Sequence, residues 1–114
     1  MNNFNSVLIE GTVVNNAKLS NIDGAFVFNF TIVSNRYFKK KGCIDKETLL
    51  IDIEAWSKHS ENYYNKLTKG RNLRIVGRLK QSNNNIVIEA EHIEFKPQIN
   101  IDNQCKLLFN EDDI

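Results

Sequence analysis

The stretch that decides the fold is residues 48–56, which run Thr-Leu-Leu-Ile-Asp-Ile-Glu-Ala-Trp. Apolar and polar side chains alternate along it, and a period of two is the spacing at which a β-strand buries one face and exposes the other. We assign one face to the core: Leu49, Ile51, Ile53 and Ala55. The other face carries Thr48, Leu50, Asp52, Glu54 and Trp56. Trp56 is therefore on the polar face, where a large aromatic ring has no core to fill.

Four further segments alternate in the same way and predict strands over residues 6–14, 26–35, 72–80 and 86–95. The side chains predicted to face inward are Val7, Ile9 and Val13, then Phe26, Phe28, Phe30 and Ile32, then Leu73, Ile75, Gly77 and Leu79, and finally Ile86, Ile88 and Ala90. The polar stretches between them predict a loop over 15–24, a flexible hairpin loop over 39–46 and a short turn over 82–85.

The period changes over residues 57–68, where Tyr63, Tyr64 and Leu67 fall on one side of a helix. Ser57 is a suitable cap at its start, and Gly70 follows its end. The order is thus three strands, one short helix and two strands. Short strands in this order predict an all-β protein, a five-stranded OB-fold barrel with one short helix between strands 3 and 4. The pattern ends near Pro97, which predicts a domain over 1–96 and a short acidic, flexible tail over 97–114.

Charge is distributed unevenly along the chain. The formal net charge is +1, but residues 97–114 carry −3 in side chains and the remainder carries +4. Residues 62–80 contain several basic side chains and no acid, and residues 36–41 contain more: Lys66, Lys69, Arg71, Arg74, Arg78 and Lys80, and then Arg36, Lys39, Lys40 and Lys41. Such clustering is typical of a protein with a polyanionic partner, and equally of a solvated, lysine-rich surface.

Several classes of function find no support in the sequence. We see no membrane helix, no secretion signal, no glycine-rich phosphate loop, no nucleophile elbow and no metal-ligand spacing. Cys43 and Cys105 form no paired motif, which favours reduced thiols in the cytoplasm. We therefore expect a cytoplasmic protein with no enzymatic activity, no cofactor and no metal.

Binding of single-stranded nucleic acid without sequence preference needs a basic groove that contacts the phosphates and exposed aromatic rings on which the bases stack. Two segments, 36–41 and 56–58, supply both, and the fourth strand adds a row of cations. The predicted DNA-binding residues are Arg36, Tyr37, Phe38, Lys39, Lys40, Trp56, Lys58, Arg74, Arg78 and Lys80. Purely structural roles are the alternatives for the aromatic residues: Trp56 could cover the barrel mouth, and Phe38 could anchor a loop.

Four motifs in order carry a resemblance to a known family. They are residues 5–11 (Asn-Ser-Val-Leu-Ile-Glu-Gly), residues 35–39 (Asn-Arg-Tyr-Phe-Lys), residues 56–62 (Trp-Ser-Lys-His-Ser-Glu-Asn), and the pair 67–70 with 77–79 (Leu-Thr-Lys-Gly and Gly-Arg-Leu). In these the chain resembles the bacterial single-stranded DNA-binding protein family. The resemblance implies a homotetramer that wraps and protects single-stranded DNA in replication, recombination and repair.

The resemblance also implies that the acidic tip binds replication and repair enzymes, through Glu111, Asp112, Asp113 and Ile114. The chain departs from the family pattern in three places. Leu50 stands where the family often has an aromatic residue, the turn at 82–85 is short, and the tip lacks the usual Pro-Phe. An alternative is a primosome-type or RNA-binding OB-fold protein that acts mainly as a protein-interaction module.

Overall fold

The computed structural model describes residues 1–57 and 65–97. These residues form six strands: β1 (Val7–Val13), β2 (Lys18–Ile22), β3 (Ala25–Lys40), β4 (Cys43–Ser57), β5 (Asn72–Ser82) and β6 (Asn85–Phe95). No helix of a length and hydropathy suited to crossing a membrane occurs in this part of the chain.

The sheet closes on itself. The strand order is β1-β5-β6-β4-β3-β2, and β1 also pairs with β3 through Thr12–Val33 and Val13–Ile32. That pairing joins five of the strands into a barrel and leaves β2 as an edge strand on β3. All the pairings are antiparallel except that of β4 with β6. The predicted five-stranded OB-fold barrel is confirmed.

Most of the core consists of the inward faces that the alternation predicted: Phe28, Phe30 and Ile32 of β3, Ile53 and Ala55 of β4, Leu73 and Ile75 of β5, and Ile88 of β6. Ile93 of β6 is also in the core, although the alternation did not predict it, because the register shift between β5 and β6 reverses the faces of β6 beyond Ala90. Three residues assigned inward are exposed, so that part of the prediction is wrong: Leu49, Leu79 and Ile86 are 49%, 44% and 58% exposed. They have the expected parity, but their strands run past the end of the barrel, where nothing covers them within the described chain.

Two glycines sit where strands approach each other closely. A Cβ on Gly11 would lie 2.6 Å from the carbonyl oxygen of Val33, where β1 crosses from β5 to β3. A Cβ on Gly77 would collide with the backbone at Glu89, beside the register shift between β5 and β6. Any larger residue at either position would force the strands apart, so these glycines permit the barrel to close.

Two predicted loops are strands instead. Within residues 15–24, Lys18–Ile22 forms β2 and returns through Asp23-Gly24, which have φ of 51° and 82°. Within residues 39–46, β3 and β4 pair as far as Lys40–Cys43 around Lys41-Gly42, with φ of 52° and 80°. Two left-handed residues in a row make the tight turn that best fits a twisted hairpin. Neither segment buries a face, so no alternation revealed it.

The helix prediction is only partly tested. Ser57 ends β4, residues 58–64 (with Tyr63 and Tyr64) lie outside the described residues, and residues 65–68 contain a turn and a bend but no helix, so the prediction is wrong there. Leu67 is buried in the core, and its carbonyl accepts a hydrogen bond from the Ala17 amide at 3.0 Å. This tertiary hydrogen bond joins the segment to the loop that precedes β2. The domain boundary at residue 97 stays a prediction, because residues 98–114 also lie outside.

Candidate nucleic-acid interface

The β3–β4 ribbon presents two different faces. Residues directly opposite each other share a face, so Trp56 lies with Val27, Glu54 with Asn29, Asp52 with Thr31, Leu50 with Val33, and Lys46 with Tyr37. We call these residues the outer face. The opposite side is the core-side face, which begins with Phe28 and Ala55 inside the barrel and continues beyond it. The part of the ribbon beyond the barrel, residues 34–49, is called the arm.

Trp56 is on the outer face, as the sequence predicts, and it is 40% exposed. Its indole Nε1 donates a hydrogen bond to Glu54 Oε1 at 2.7 Å. The same oxygen accepts a hydrogen bond from Lys80 Nζ, also at 2.7 Å. The Lys80 ammonium lies over the indole, 5.9 Å from the ring centroid. The exposed ring is therefore held by two charged side chains, one from its own strand and one from β5.

Glu54 and Lys80 each stabilise the charged form of the other. Burial raises the pKa of Glu54, but the hydrogen bonds from Lys80 and Trp56 outweigh it, so the pKa lies below its usual value. The hydrogen bond to Glu54 raises the pKa of Lys80. Both groups are accordingly charged at neutral pH.

A polar groove of about 320 Å³ lies on the outer face and is lined in part by Glu54, the hydrogen-bond partner of Trp56. Its lining includes Asn15, Asn29, Asp52, Glu54, Asn83 and Asn85. Thr31 Oγ1 donates a hydrogen bond to Asp52 Oδ1 at 2.6 Å across its floor. The groove lies where strands and loops of an OB-fold bind extended ligands. Sequence reasoning missed this groove, because its amides come from strands and connecting segments that are far apart in the chain.

The arm divides the residues predicted from segment 36–41 between two faces. Tyr37, 52% exposed, and Lys39 are on the outer face with Trp56, whereas Arg36, Phe38 and Lys40 are on the core-side face. The Arg36 guanidinium lies 5.2 Å from the centroid of the Phe38 ring and 3.5 Å from the Glu47 carboxylate.

The arm lysines carry uncompensated charge. Among the described residues, Lys39, Lys40, Lys41 and Lys46 take part in no ion pair. Lys46 was not predicted as a site residue, although it lies opposite Tyr37 on the outer face. The only sequence signal that could have predicted this position of Lys46 is the tight turn at Lys41-Gly42, because the turn sets the register of the two strands.

The cations of β5 point outward together, as predicted, but each has an acidic partner. Arg74 lies 2.5 Å from Glu10 and 3.6 Å from Glu94, and Arg78 lies 2.6 Å from Glu89. Lys80 pairs with Glu54. Since these partners lie on other strands, the sequence showed the row of cations without the acids that face it.

A further basic cluster surrounds Phe95 at the end of β6. Lys66 and Arg71 each lie over the Phe95 ring, 5.4 Å from its centroid. Together with Lys69 they come from the acid-free segment 62–80, but the sequence analysis assigned them no role. They add positively charged side chains that the prediction did not include.

Some predicted residues fall beyond the part of the chain that the structure describes. They are Lys58 and the tail residues Glu111, Asp112, Asp113 and Ile114. In residues 1–57 and 65–97, no three histidine, cysteine or acidic side chains come together in a way that would hold a metal ion. Cys43, at the tip of the arm, is exposed and not in a disulfide.

Comparison with known proteins finds single-stranded DNA-binding proteins among the relatives of this chain. A single-stranded DNA-binding protein of Paenarthrobacter nicotinovorans is 31% identical over 105 residues, which cover 82% of this chain and 62% of that protein. The single-stranded DNA-binding protein 2 of Clostridium acetobutylicum is 30% identical over 79 residues, 68% of this chain and 58% of that one. The chain thus spans less than two thirds of the length of either relative.

Solved structures have the same fold at low identity. The SSB of Plasmodium falciparum, in complex with ssDNA, superposes with a TM-score of 0.71 at 18% identity, covering 85% of this chain and 98% of that one. The wild-type single-stranded DNA-binding protein of Thermus aquaticus superposes at 0.69 and 17%, covering 82% of this chain and 50% of that one. The sequence model of the single-strand binding protein family matches residues 4–103. The chain therefore belongs to the single-strand binding protein family.

Proposed function

We propose that this protein binds and protects single-stranded DNA without sequence preference and catalyses no reaction. The observation that carries the proposal is the position of Trp56, an exposed aromatic ring on the same face as Tyr37 and the unpaired arm lysines Lys39 and Lys46. The names of the relatives and the DNA-bound structure of the Plasmodium protein support it.

Two interactions would hold the strand. A base stacked on Trp56 contributes about 1–3 kcal/mol, and the energy depends little on which base it is. Phosphates would lie against the arm lysines, where binding releases counterions and therefore weakens with salt. Of the ten residues predicted from the sequence, the outer-face set of Trp56, Tyr37 and Lys39 is best placed for both.

Assembly into a homotetramer is part of the proposal. Leu8 of β1 and Val76 of β5 lie opposite each other and are 68% and 38% exposed. Within the described chain, the edge of β1 from Val7 to Gly11 that faces away from β5 has no partner strand. Exposed apolar side chains beside an open strand edge favour association of copies.

The cellular role follows from family membership. We propose that the protein acts in the cytoplasm on the nucleoid, in replication, recombination and repair. The OB-fold domain of residues 1–96 would bind DNA, and the acidic tail of 97–114 would contact replication and repair enzymes through residues 111–114.

A competition experiment tests the proposal. Unlabelled oligo-dT, oligo-rU and duplex DNA compete for the protein against a labelled dT oligomer at moderate salt. The proposal predicts that oligo-dT displaces the probe at the lowest concentration. A preference for oligo-rU would favour an RNA-binding OB-fold protein, and failure of the labelled dT oligomer to bind at all would favour a protein-interaction module.

A further inference from the structure

An acid lies at the centre of the face proposed to bind a polyanion. Glu54 is flanked on the outer face by Trp56 and Asp52, and its side chain is only 14% exposed. A carboxylate in this position repels the phosphates of a bound strand. Glu54 would therefore only weaken binding unless it also has another role. The described structure shows what Glu54 contacts: the indole N–H of Trp56 and the ammonium of Lys80, both at 2.7 Å.

We propose that Glu54 is a positioning residue that holds the Trp56 ring in the orientation in which a base stacks on it, and that Lys80 neutralises Glu54 instead of contacting phosphate. This inference deepens the proposed function and rests on it.

The geometry supports this role for Glu54. An exposed tryptophan has no packed core to fix its side-chain torsions, and its single N–H is the one directional handle on the ring. A charged acceptor makes a stronger hydrogen bond than a neutral one or water. Glu54 and Trp56 are two residues apart on one strand, so they point to the same side and the bond needs no distortion.

Lys80, on β5, also contacts both Glu54 and Trp56. Its ammonium binds the same Glu54 oxygen that accepts the indole N–H, and it also lies over the ring. One cation therefore offsets the charge of the acid and restricts the ring. Holding the ring before DNA arrives avoids the entropy that ordering it on binding would cost.

Glu89 provides a matched control. It is in parallel register with Glu54 across β4 and β6, and it is also paired with a cation, Arg78, at 2.6 Å. The indole N–H of Trp56 is donated to Glu54 and not to Glu89. Glu89→Gln therefore removes one negative charge from the same region without freeing the indole. Glu54→Gln removes the charge but leaves an amide oxygen that can accept the N–H, whereas Glu54→Ala removes both.

The first readout is the fluorescence of the free protein, which contains a single tryptophan. We expect the steady-state anisotropy of Trp56 to fall in Glu54→Ala and to stay near the wild-type value in Glu54→Gln and Glu89→Gln. This measurement needs no DNA, so it tests the hold on the ring even if the proposed function fails. Wild-type anisotropy in Glu54→Ala would overturn the inference.

The second readout is affinity for labelled oligo-dT. Glu54→Ala should bind about two- to tenfold more weakly, which corresponds to the ordering cost of one side chain, and Glu54→Gln should largely restore affinity. If all three variants bind more tightly by similar factors, Glu54 acts only by repulsion and the inference is wrong. Failure of the wild type to bind oligo-dT would instead contradict the proposed function.

A double-mutant cycle removes the effect of freeing Lys80. Trp56→Phe keeps an aromatic ring but has no N–H to hold. In that background, Glu54→Ala should no longer weaken oligo-dT binding, since the bond it breaks is already absent, and the effect of freeing Lys80 cancels in the difference between the two backgrounds. An equal loss of affinity in both backgrounds would show that Glu54 acts independently of the indole and would refute the positioning role.

Discussion

The barrel and the arm share the β3–β4 ribbon, and the two regions are held by different forces. In the barrel, one face of the ribbon is buried, and the outward cations of β5 are paired with acids, as Lys80 is with Glu54. In the arm, both faces are exposed, and Lys39, Lys40, Lys41 and Lys46 have no acidic partner among the described residues. Cations in the barrel thus serve the fold, while those of the arm are available to a ligand.

The largest expected effect concerns the stability of the barrel. Ile53 and Leu49 have the same parity on β4, but Ile53 is 1% exposed and Leu49 is 49% exposed. Ile53→Ala should lower the free energy of unfolding by about 2–5 kcal/mol, because it leaves a cavity in the core. Leu49→Ala should change it by no more than about 0.5 kcal/mol. Denaturant unfolding measures both, and equal losses would mean that the arm is packed as the barrel is.

The next effect concerns stacking at the two ends of the outer face. Trp56→Ala should weaken oligo-dT binding by about 1–3 kcal/mol, since it removes the largest exposed ring. Tyr37→Ala, in the arm, should weaken binding less. The Tyr37 ring is smaller, and among the described residues no side chains hold it as Glu54 and Lys80 hold Trp56. Titration of labelled oligo-dT compares them. A larger loss for Tyr37→Ala would place the main stacking site in the arm.

These two comparisons also show which parts of the structure could be predicted from the sequence. Alternation in residues 48–56 predicted both the buried Ile53 and the exposed Trp56, because a half-buried strand imposes a period of two. The arm had no such signal: its side chains are solvated on both faces, so its β-structure depends on backbone pairing and on the turn at Lys41-Gly42. Pairings such as Arg78 with Glu89 join positions on different strands, which only the register reveals.

A smaller effect concerns the salt dependence of binding. The double variant Lys39→Gln/Lys46→Gln removes two unpaired cations, and the plot of log affinity against log salt should become flatter by about 0.7 for each phosphate that the variant no longer neutralises. The matched variant Arg74→Gln/Arg78→Gln removes two paired cations of the barrel and should flatten it less. An equal or greater change in the barrel variant would show that the ion pairs open when DNA binds.

The smallest effect is on pH-dependent stability. The pKa of Glu54 is below the usual value of 4.5, where burial opposes the change and hydrogen bonds from Lys80 and Trp56 drive it. A lowered folded-state pKa stabilises the fold above pH 4.5 and loses that contribution as the pH falls below it. The difference in Tm between wild type and Glu54→Gln should therefore be largest near neutral pH and shrink below pH 4.5. A difference independent of pH would mean that Glu54 contributes no ionic stabilisation.

The central claim, that bases stack on Trp56 on the outer face, has a direct spectroscopic test. Trp56 is the only tryptophan in the chain, so intrinsic emission reports on this one position. Wild-type protein is titrated with oligo-dT while a label on the DNA reports binding independently. Stacking predicts strong quenching of the tryptophan emission that saturates together with the label signal. Unchanged emission at full occupancy of the label would contradict the claim and place the DNA path away from this face.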